Sequence, residues 1–459
     1  MSEYPVPYGH EESGREKDLA ADEASFGRDE KKDLNPPYTQ DAFGDEEFAE
    51  VKYKTLRWWQ CGLLMVAETV SLGVLSLPAA VAGLGFVPAV IILVTLGIFA
   101  TYTGYVIGQF KNRYPQVTNM ADAGEVLAGK WGREFLGVAQ MLFFIFVMAS
   151  HLLTFTVAMN TLTNHGTCSI VFGVVGMVVS FILCLPRTLE KMSWLSLVSF
   201  ISIFSAVMIC MIGVGIEKPG VHNTEAVVNT NLYHGFTAVT NIVFAFCGHA
   251  AFFGLAAELK DPRDFPKGLC LLQGIDISLY LIAAVVIYRF GGADVKSPAL
   301  GSASPIVSKV AYGIALPTIL IAGVIYGHVA AKYIYVRIFR GTDRMHKRDF
   351  VAIGSWVGIA LVLWVLAWII ASAIPVFSNL LSLITALFAS WFTYGLSGIF
   401  WLFMNKGVWF KNWRKIALTG LNLLAVAVGA VLCGMGLWVS GKALHDNPSS
   451  DSFSCASNA

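Results

Sequence analysis

A short stretch of polar and small residues, Glu68–Gly73, lies in the middle of an apolar run from Cys61 to Ala82. At about 1.5 Å per residue, a helix of that length crosses a bilayer. Glutamate is costly at membrane depth, and Ser71 and Gly73 both weaken a helix. Unwound backbone persists in hydrocarbon only where protein or a cavity surrounds it, so this pattern indicates a place where a polar molecule binds.

A second apolar run has the same weakness at its centre. It reads Asn241-Ile-Val-Phe-Ala-Phe-Cys-Gly-His-Ala250, with Gly248 midway and the polar His249 beside it. Free N–H groups at the start of a half-helix attract a carboxylate, while free carbonyls at the end of another accept an ammonium group or a cation. The alternative is that Gly and Ser serve only close helix packing, which is common in membrane helices.

The composition shows which elements position these breaks. The chain has 459 residues, of which 56% are hydrophobic and 14% charged, and its mean hydropathy is +0.63. These values lie outside the usual range of soluble globular proteins and indicate an all-α polytopic membrane protein. Apolar runs long enough to span a membrane predict eleven transmembrane helices, near residues 58–82, 86–110, 134–163, 168–186, 193–215, 235–257, 268–290, 306–332, 350–371, 374–401 and 415–441.

The basic residues of the loops predict the orientation. If the N-terminus is cytosolic, the inner loops hold 18 Lys and Arg residues and the outer side holds five. Positive charge is enriched on the cytosolic side, so the N-terminus is predicted inside and the C-terminus outside. Spans one and six then run in opposite directions, which predicts inverted repeats of spans 1–5 and 6–10 with the eleventh span appended.

Two tails flank the predicted membrane domain, residues 51–441. Residues 1–50 hold 15 acidic against five basic residues with little apolar periodicity, so they are predicted to be a disordered cytosolic tail. Lys17, Lys31 and Lys32 suit ubiquitin-type regulation there, and a simple solubilising tail is the alternative. Residues 442–459 are predicted to form a short extracellular tail. Cys168 and Cys455 are the two cysteines near aqueous ends, and a bridge between them is one interpretation.

Three segments carry a resemblance to a known family. "AETVSLGVLSLPAAVAGLGFVPAV", "PRTLEKMSWLSLVSFISI" and "FAFCGHAAFFGLAAELKDPRDFPKG" resemble the first, fifth and sixth helices of the amino acid/auxin permease family, in its fungal branch of neutral amino acid permeases. The family's Gly-x-Gly pattern is matched here with Ser71 in place of the first glycine and Gly73 as the second. The resemblance covers roughly residues 50–441. It implies a fold similar to the bacterial leucine transporter and secondary transport of free amino acids.

An amino acid substrate would need partners for its two charged ends and an apolar pocket. Amide groups around Leu72 and Gly73 are predicted to bind the carboxylate. Carbonyls near Phe244, Ala245 and Cys247 are predicted to bind the ammonium group. Aromatic rings near the second break are predicted to bound the side-chain pocket. The predicted substrate-binding residues are Ser71, Leu72, Gly73, Phe244, Ala245, Phe246, Cys247, Gly248 and Phe252.

Ionisable residues at membrane depth are functional hypotheses by default. The predicted coupling residues are Glu68, His249 and Thr318. Glu68 is predicted to exchange a proton or to anchor the sixth helix through His249, with a purely structural role as the alternative. His151 and His328 are interpreted as helix-packing groups and Asp276 as an interfacial residue. Fungal relatives in the family imply proton symport, and no cofactor is expected.

The resemblance, together with the apolar surroundings of the second break, implies a transporter that imports neutral aliphatic and aromatic amino acids across the plasma membrane. A nucleobase permease of the same fold and a nutrient sensor that does not transport are the alternatives. The sequence has no His-Glu-x-x-His motif and no span with a charged stripe, which disfavours a membrane enzyme and a channel. The predicted partners are the substrate and the lipid bilayer, with no nucleic acid.

Overall fold

The computed structural model describes residues 54–186, 192–339, 342, 349–446 and 452–458. The predicted disordered tail, residues 1–50, and its three lysines lie outside this range. The described chain is helical apart from short loops and a backbone bridge between Leu56 and Leu259. The predicted all-α class is therefore confirmed.

We number the membrane helices α1 to α11 in chain order. Helix α6 consists of two segments, α6a and α6b, and α10 contains a π-helical stretch, Thr385–Gly395. The helices are α1 Trp58–Leu84, α2 Phe86–Arg113, α3 Met120–Thr163, α4 Ser169–Cys184, α5 Met192–Glu217, α6a Leu232–Ala245, α6b His249–Ala257, α7 Phe265–Gly291, α8 Pro305–Phe339, α9 Phe350–Ala373, α10 Phe377–Met404 and α11 Trp413–Asp446.

The predicted spans match these helices closely. Ten helical segments of the described chain are long and apolar enough to cross a membrane, and α4 adds a shorter apolar helix of 16 residues. Helix α3 begins at Met120, earlier than predicted, because a short helical segment precedes the span. The chain turns between the two parts at Gly129, whose φ is 63°. Helix α11 continues to Asp446, so the predicted C-terminal tail begins inside a helix.

Helices α1 and α6 form the centre of the bundle. In the most apolar 18-residue window, 94% of α1 and 89% of α6 is buried, against 28% of both α2 and α11. Helices α5 and α7 pack against α1, α10 packs against α6, and the peripheral helices present apolar side chains outward. A helix that is apolar on all sides and buried by its neighbours is the expected element at the core of a membrane protein.

The prediction that α1 opens at Ser71–Gly73 is wrong. Helix α1 is continuous from Trp58 to Leu84, with Pro78 inside it. The hydroxyl groups of Thr69 and Ser76 donate to carbonyls of the same helix, those of Met65 and Gly73, at 3.0 and 2.9 Å. Small and polar residues in the middle of α1 therefore serve close packing within an intact helix, which was the alternative reading.

The predicted break in α6 is confirmed. Segment α6a ends at Ala245 and α6b begins at His249, and the residues between them do not form helix. The break lies in the buried centre of the bundle, since every residue from Thr240 to Phe253 is buried. The surrounding protein replaces the lipid here, which is the condition under which non-helical backbone persists at membrane depth.

Candidate functional site

Helix α1 passes directly against the break in α6. A Cβ atom built on Gly73 would lie 2.8 Å from the Tyr280 hydroxyl oxygen and 3.0 Å from the Ala245 Cα atom. One built on Gly248 would lie 2.8 Å from the Thr69 Cγ2 atom. Real Cβ atoms do not approach so closely, so these two glycines allow α1 to lie along the broken segment. The structure thus brings together the two stretches that the sequence singled out.

The chain makes one tight turn at the break. The Phe246 amide donates to the Val243 carbonyl and the Cys247 amide to the Phe244 carbonyl, both at 3.1 Å. Gly248 is the N-cap residue of α6b and provides no side chain to cap the helix. Because the first amide groups of a helix have no partner inside it, the break presents a positively polarised helix start in the centre of the bundle.

The backbone groups predicted to hold the two ends of a substrate have different surroundings. The amides of Leu72 and Gly73 lie inside the continuous helix α1, so the helix start at this site belongs to α6b instead. The Ala245 carbonyl accepts a hydrogen bond from the Tyr280 hydroxyl at 2.9 Å. A substrate carboxylate is therefore better served by the start of α6b than by α1.

The three phenylalanines near the break are all buried, and two of them pack away from α1. The Phe246 ring lies 5.4 Å from the Tyr280 ring, edge to face, and beside Gly97 of α2. The Phe252 ring contacts the His249 ring at 4.6 Å and the Phe265 ring at 5.7 Å. These two rings hold the broken helix against α2 and α7. Phe244 lies in α6a, and its side chain is 5% exposed.

Glu68 lies five residues before Gly73 in α1 and is 3% exposed. Tyr326 of α8 directs its hydroxyl group towards the Glu68 carboxyl, and Cys247 of the break lies close enough to interact with it. Neither carboxyl oxygen of Glu68 reaches hydrogen-bond geometry with any residue in the described ranges. A carboxyl group that is buried without partners is costly, which is typical of a functional group.

Asp276 was interpreted as an interfacial residue, and this interpretation is wrong. It lies in the middle of α7 and is 0% exposed. Its carboxyl faces Thr69 and interacts with Glu68, both on α1. The missed signal was its spacing, since Asp276 lies four residues before Tyr280 and so shares the helix face that contacts the break.

His249 does not connect α6 to Glu68 as predicted. Its Nε2 atom lies 2.9 Å from the Ala100 carbonyl oxygen and 3.1 Å from the Thr103 Oγ1 atom, both in α2. A carbonyl only accepts hydrogen bonds, so Nε2 is the donor. His249 therefore anchors the start of α6b to α2.

Three further buried polar groups that the sequence singled out contact neighbouring helices. Thr318 of α8 shares a hydrogen bond of 2.9 Å with Ser199 of α5. The Nδ1 atom of His151 lies 2.9 Å from the Ile319 carbonyl oxygen, which ties α3 to α8. The His328 ring packs against Trp356 of α9 at 5.2 Å. The helix-packing interpretation of both histidines agrees with these contacts.

A cavity of about 300 Å³ leads towards the break from one end of the bundle. It is lined by the C-terminal ends of α6b and α8 and by the first segment of α3, and it reaches Ala250 and Phe144. The ion pair between Lys332 and Glu258, at 2.6 Å, lies in its wall. At this end the Leu56 amide donates to the Glu258 carbonyl at 3.0 Å, so the start of α1 is joined to the end of α6b.

The C-terminal segment covers the opposite end. Cys168, at the start of α4, forms a disulfide with Cys455, which confirms the bridge considered from the sequence. The Phe453 amide donates to the Ser372 carbonyl of α9, and Ser169 donates to the Ala456 carbonyl. The segment thus crosses from α9 to α4 and is covalently fixed there.

The family model and the related proteins that this chain matches are described as amino acid transporters. A family model described as transmembrane amino acid transporter protein matches residues 54–441. The chain is 35% identical over 419 residues to the N amino acid transport system protein of Neurospora crassa, covering 88% of this chain and 89% of that protein. It is 28% identical over 401 residues to amino acid transporter AVT1H of Arabidopsis thaliana, covering 83% of this chain and 88% of that protein.

Solved structures share the fold at low sequence identity. MhsT, crystallised in complex with L-phenylalanine, has a TM-score of 0.56 and 13% identity, covering 85% of this chain and 99% of its own. A mutant manganese transporter of Eremococcus coleocola has a TM-score of 0.56 and 14% identity, covering 88% and 92%. These likenesses confirm the predicted leucine-transporter-like fold.

Proposed function

The chain belongs to the transmembrane amino acid transporter protein family, and from this premise we propose that it imports neutral aliphatic and aromatic amino acids by proton symport. The family confirms the predicted resemblance and makes the chain an integral membrane transporter. The substrate range, the coupling ion and the direction of transport are the proposal. Alternating access takes place around the break in α6.

The observation that carries this proposal is the position of the break. The start of α6b presents amide groups at the buried centre of the bundle, where a substrate carboxylate replaces the water that these groups would otherwise need. The carbonyls of Phe244 and Ala245 at the end of α6a each accept one hydrogen bond and keep a second lone pair for an ammonium group. A zwitterion that lies across this gap contacts both helix ends. These backbone groups contact only the amino and carboxyl groups, which all amino acids share.

Selectivity follows from the side chains around the same gap. Phe244 lies near the end of α6a and Phe246 follows it, and Gly73 and Ala245, which pack closely together beside them, carry no polar side chain. A charged substrate side chain loses its hydration in such surroundings, whereas an aliphatic or aromatic one gains apolar contact. The likeness to MhsT, which was crystallised with L-phenylalanine, supports a substrate of this kind.

The proposed orientation has the N-terminus in the cytosol and the C-terminus outside, in the plasma membrane. The excess of Lys and Arg in the loops on one side supports it. The disulfide between Cys168 and Cys455 supports it independently, because it lies on the proposed outer side and disulfides persist in oxidising surroundings. The cavity beside Lys332 then faces the cytosol.

Regulation through the N-terminal lysines belongs to the same proposal. Removing residues 1–45 should leave initial uptake per surface molecule unchanged and lengthen the lifetime of the protein at the surface. Pulse-chase surface biotinylation measures that lifetime. A lower transport rate per molecule would contradict a purely regulatory tail.

Uptake by the purified protein in liposomes tests the transport proposal. Labelled leucine and phenylalanine should accumulate when the outer solution is acidified, and arginine, lysine and glutamate should compete poorly. Uracil or adenine as the better competitor would identify a nucleobase permease. Substrate binding without accumulation would identify a sensor. A requirement for sodium in place of the pH gradient would contradict proton symport.

A further inference from the structure

Two buried carboxyl groups lie on the packed helices α1 and α7 beside the break. Glu68 projects from α1 and Asp276 from α7, and their exposed fractions are 3% and 0%. The two groups are close enough to interact electrostatically. None of their four carboxyl oxygens has a hydrogen-bond partner within the described part of the chain. Such an arrangement is rare, because buried charged groups in proteins are normally paired.

The hydroxyl groups beside Asp276 direct their hydrogen atoms elsewhere. Thr69 donates to the Met65 carbonyl at 3.0 Å, and Tyr280 donates to the Ala245 carbonyl at 2.9 Å. Each hydroxyl has one hydrogen atom, so the carboxyl group meets only oxygen lone pairs at these two neighbours. Gln273, three residues before Asp276 in α7, also leaves its Oε1 atom unpartnered among the described residues. The surroundings of Asp276 are therefore rich in acceptors, and the hydroxyl of Tyr326 is directed towards Glu68 instead.

The titratable groups around the pair supply no positive charge. On its own helix Glu68 interacts with Cys61, and across the interface it interacts with Cys247 of the break and Tyr326 of α8. Asp276 interacts with Tyr280 of its own helix. The groups found to interact with either carboxyl in the described ranges include no Lys, Arg or His. Two negative charges at this depth are strongly unfavourable unless a cation neutralises at least one of them.

We infer that Glu68 and Asp276 form a carboxyl pair that binds the coupling proton, an inference that rests on the proposed symport. One proton enters from the outer side and forms an O–H bond on either carboxyl, which removes one of the two negative charges. Release to the cytosol breaks that bond and restores both charges. The proton belongs to the pair, because strongly interacting groups titrate together. Asp276 is thus a second coupling residue, beside Glu68.

The pair is linked to the substrate site through backbone contacts. Asp276 is one turn from Tyr280, whose hydroxyl holds the Ala245 carbonyl at the end of α6a. Glu68 precedes Thr69, which packs against Gly248 at the start of α6b. With the proton bound, α1 and α7 can pack against both ends of the break. When the proton leaves, repulsion between the carboxylates separates α1 from α7 and loosens both ends together.

The first test compares Glu68→Gln, Asp276→Asn and the double variant in liposomes. In a symport of one proton per substrate, a pH difference of about one unit drives about tenfold accumulation of leucine. Each variant should lower that accumulation to about onefold, while counterflow of labelled leucine against unlabelled leucine continues. The double variant should lose no more than either single variant, because one shared proton is lost only once.

Asp294→Asn is the matched control, since Asp294 lies exposed just beyond the same helix. It should accumulate leucine as the unmodified protein does. Accumulation that persists in Asp276→Asn would overturn the inference, as would a double variant whose losses multiply. Loss of counterflow in a variant that elutes normally would assign a structural role and also overturn it. If the unmodified protein shows no leucine counterflow, the proposed function itself fails.

A second measurement on the unmodified protein avoids any effect of substitution on folding. Dicyclohexylcarbodiimide reacts with protonated carboxyl groups in apolar surroundings. It should modify Glu68 or Asp276, but not both in one molecule, and the yield should fall as the pH is raised. Mass spectrometry of peptides gives the position and the yield. Modification of neither residue, or a yield that does not change with pH, would overturn the inference.

Discussion

Helices α1 and α6 occupy corresponding places in the two repeats, yet only α6 breaks. Both carry glycine at the centre, and both are deeply buried. In α1 the hydroxyls of Thr69 and Ser76 donate to carbonyls of the same helix. In α6 the carbonyls of Thr240, Ala245 and Ala250 accept from side chains of other helices. The comparison shows that a break needs partners from neighbouring helices as well as weak helix formers.

Side-chain hydrogen bonds join the broken helix to four other helices. The donors to its carbonyl groups are Gln140 of α3, Tyr280 of α7 and Thr385 of α10, while His249 itself reaches α2. An unpartnered carbonyl in hydrocarbon costs several kcal/mol, so each of these bonds stabilises the open turn. Helix α1 receives its close contacts through glycines instead, and it supplies the surface against which the break is formed.

The strongest way to disturb this arrangement is to enlarge Gly73. In Gly73→Val the new side chain meets the Tyr280 hydroxyl and the Ala245 backbone, neither of which can move without breaking their hydrogen bond. Overpacking of this kind costs about 1–3 kcal/mol or more, and we expect uptake to be lost. Uptake per surface molecule is the measurement. Gly274→Val is the control, because Gly274 has open space around it, and normal uptake by Gly73→Val would remove this contact from the site.

The contact at Gly248 allows a rescue experiment. In Gly248→Ala the new methyl group meets the Thr69 Cγ2 atom, and we expect a loss of about tenfold in uptake for about 1.4 kcal/mol of strain. Thr69→Ser removes that methyl group and keeps the hydroxyl that bonds to Met65. The double variant should recover most of the uptake. A double variant as poor as Gly248→Ala alone would show that the glycine is needed for another reason.

The anchor of α6b is expected to affect stability more than substrate choice. His249→Ala removes the hydrogen bond to the Ala100 carbonyl and the contact with Thr103, at a cost of about 1–3 kcal/mol in the free energy of unfolding. Thermal unfolding in detergent should show a lower midpoint, with the ranking of substrates unchanged. Thr103→Val should cause a smaller change of the same kind. An altered substrate ranking would place His249 in the binding pocket.

The smallest expected effect distinguishes Phe244 of α6a, which we place beside the substrate, from Phe252 of α6b, which packs between helices. Phe244→Ala should change the uptake of phenylalanine relative to leucine by a few-fold, about 1 kcal/mol, because it enlarges the cavity without touching the helix ends. Phe252→Ala should lower all substrates together, since its ring packs against α2 and α7. Competition assays with both amino acids measure the ratio. Equal effects of the two variants would make Phe244 part of the scaffold as well.

The sequence predicted the helices and the break in α6 because both depend on local composition. Apolar runs define spans wherever the solvent is lipid, and Phe246–Gly248 sits between two short helical patterns. It failed at Ser71–Gly73, because the neighbouring Thr69 and Ser76 bond to carbonyls of α1 itself and the small residues allow close packing of an intact helix. It also failed at His249 and Asp276, because their partners lie on helices far away in the chain. Such contacts depend on the rotation of each helix, which hydrophobic runs do not specify.

The backbone pairing between Leu56 and Leu259 joins the residues before α1 to the residues after α6b, so the two helices are expected to move together. Main-chain hydrogen bonds run both ways across it, from the Leu56 amide to the Glu258 carbonyl at 3.0 Å and from the Lys260 amide to the Leu56 carbonyl at 2.9 Å. Because α1 is a continuous helix, a tilt of its start relative to α6b would also displace Gly73. The pairing consists of main-chain hydrogen bonds, so substitutions other than proline at Leu56 and Lys260 leave its donors and acceptors in place.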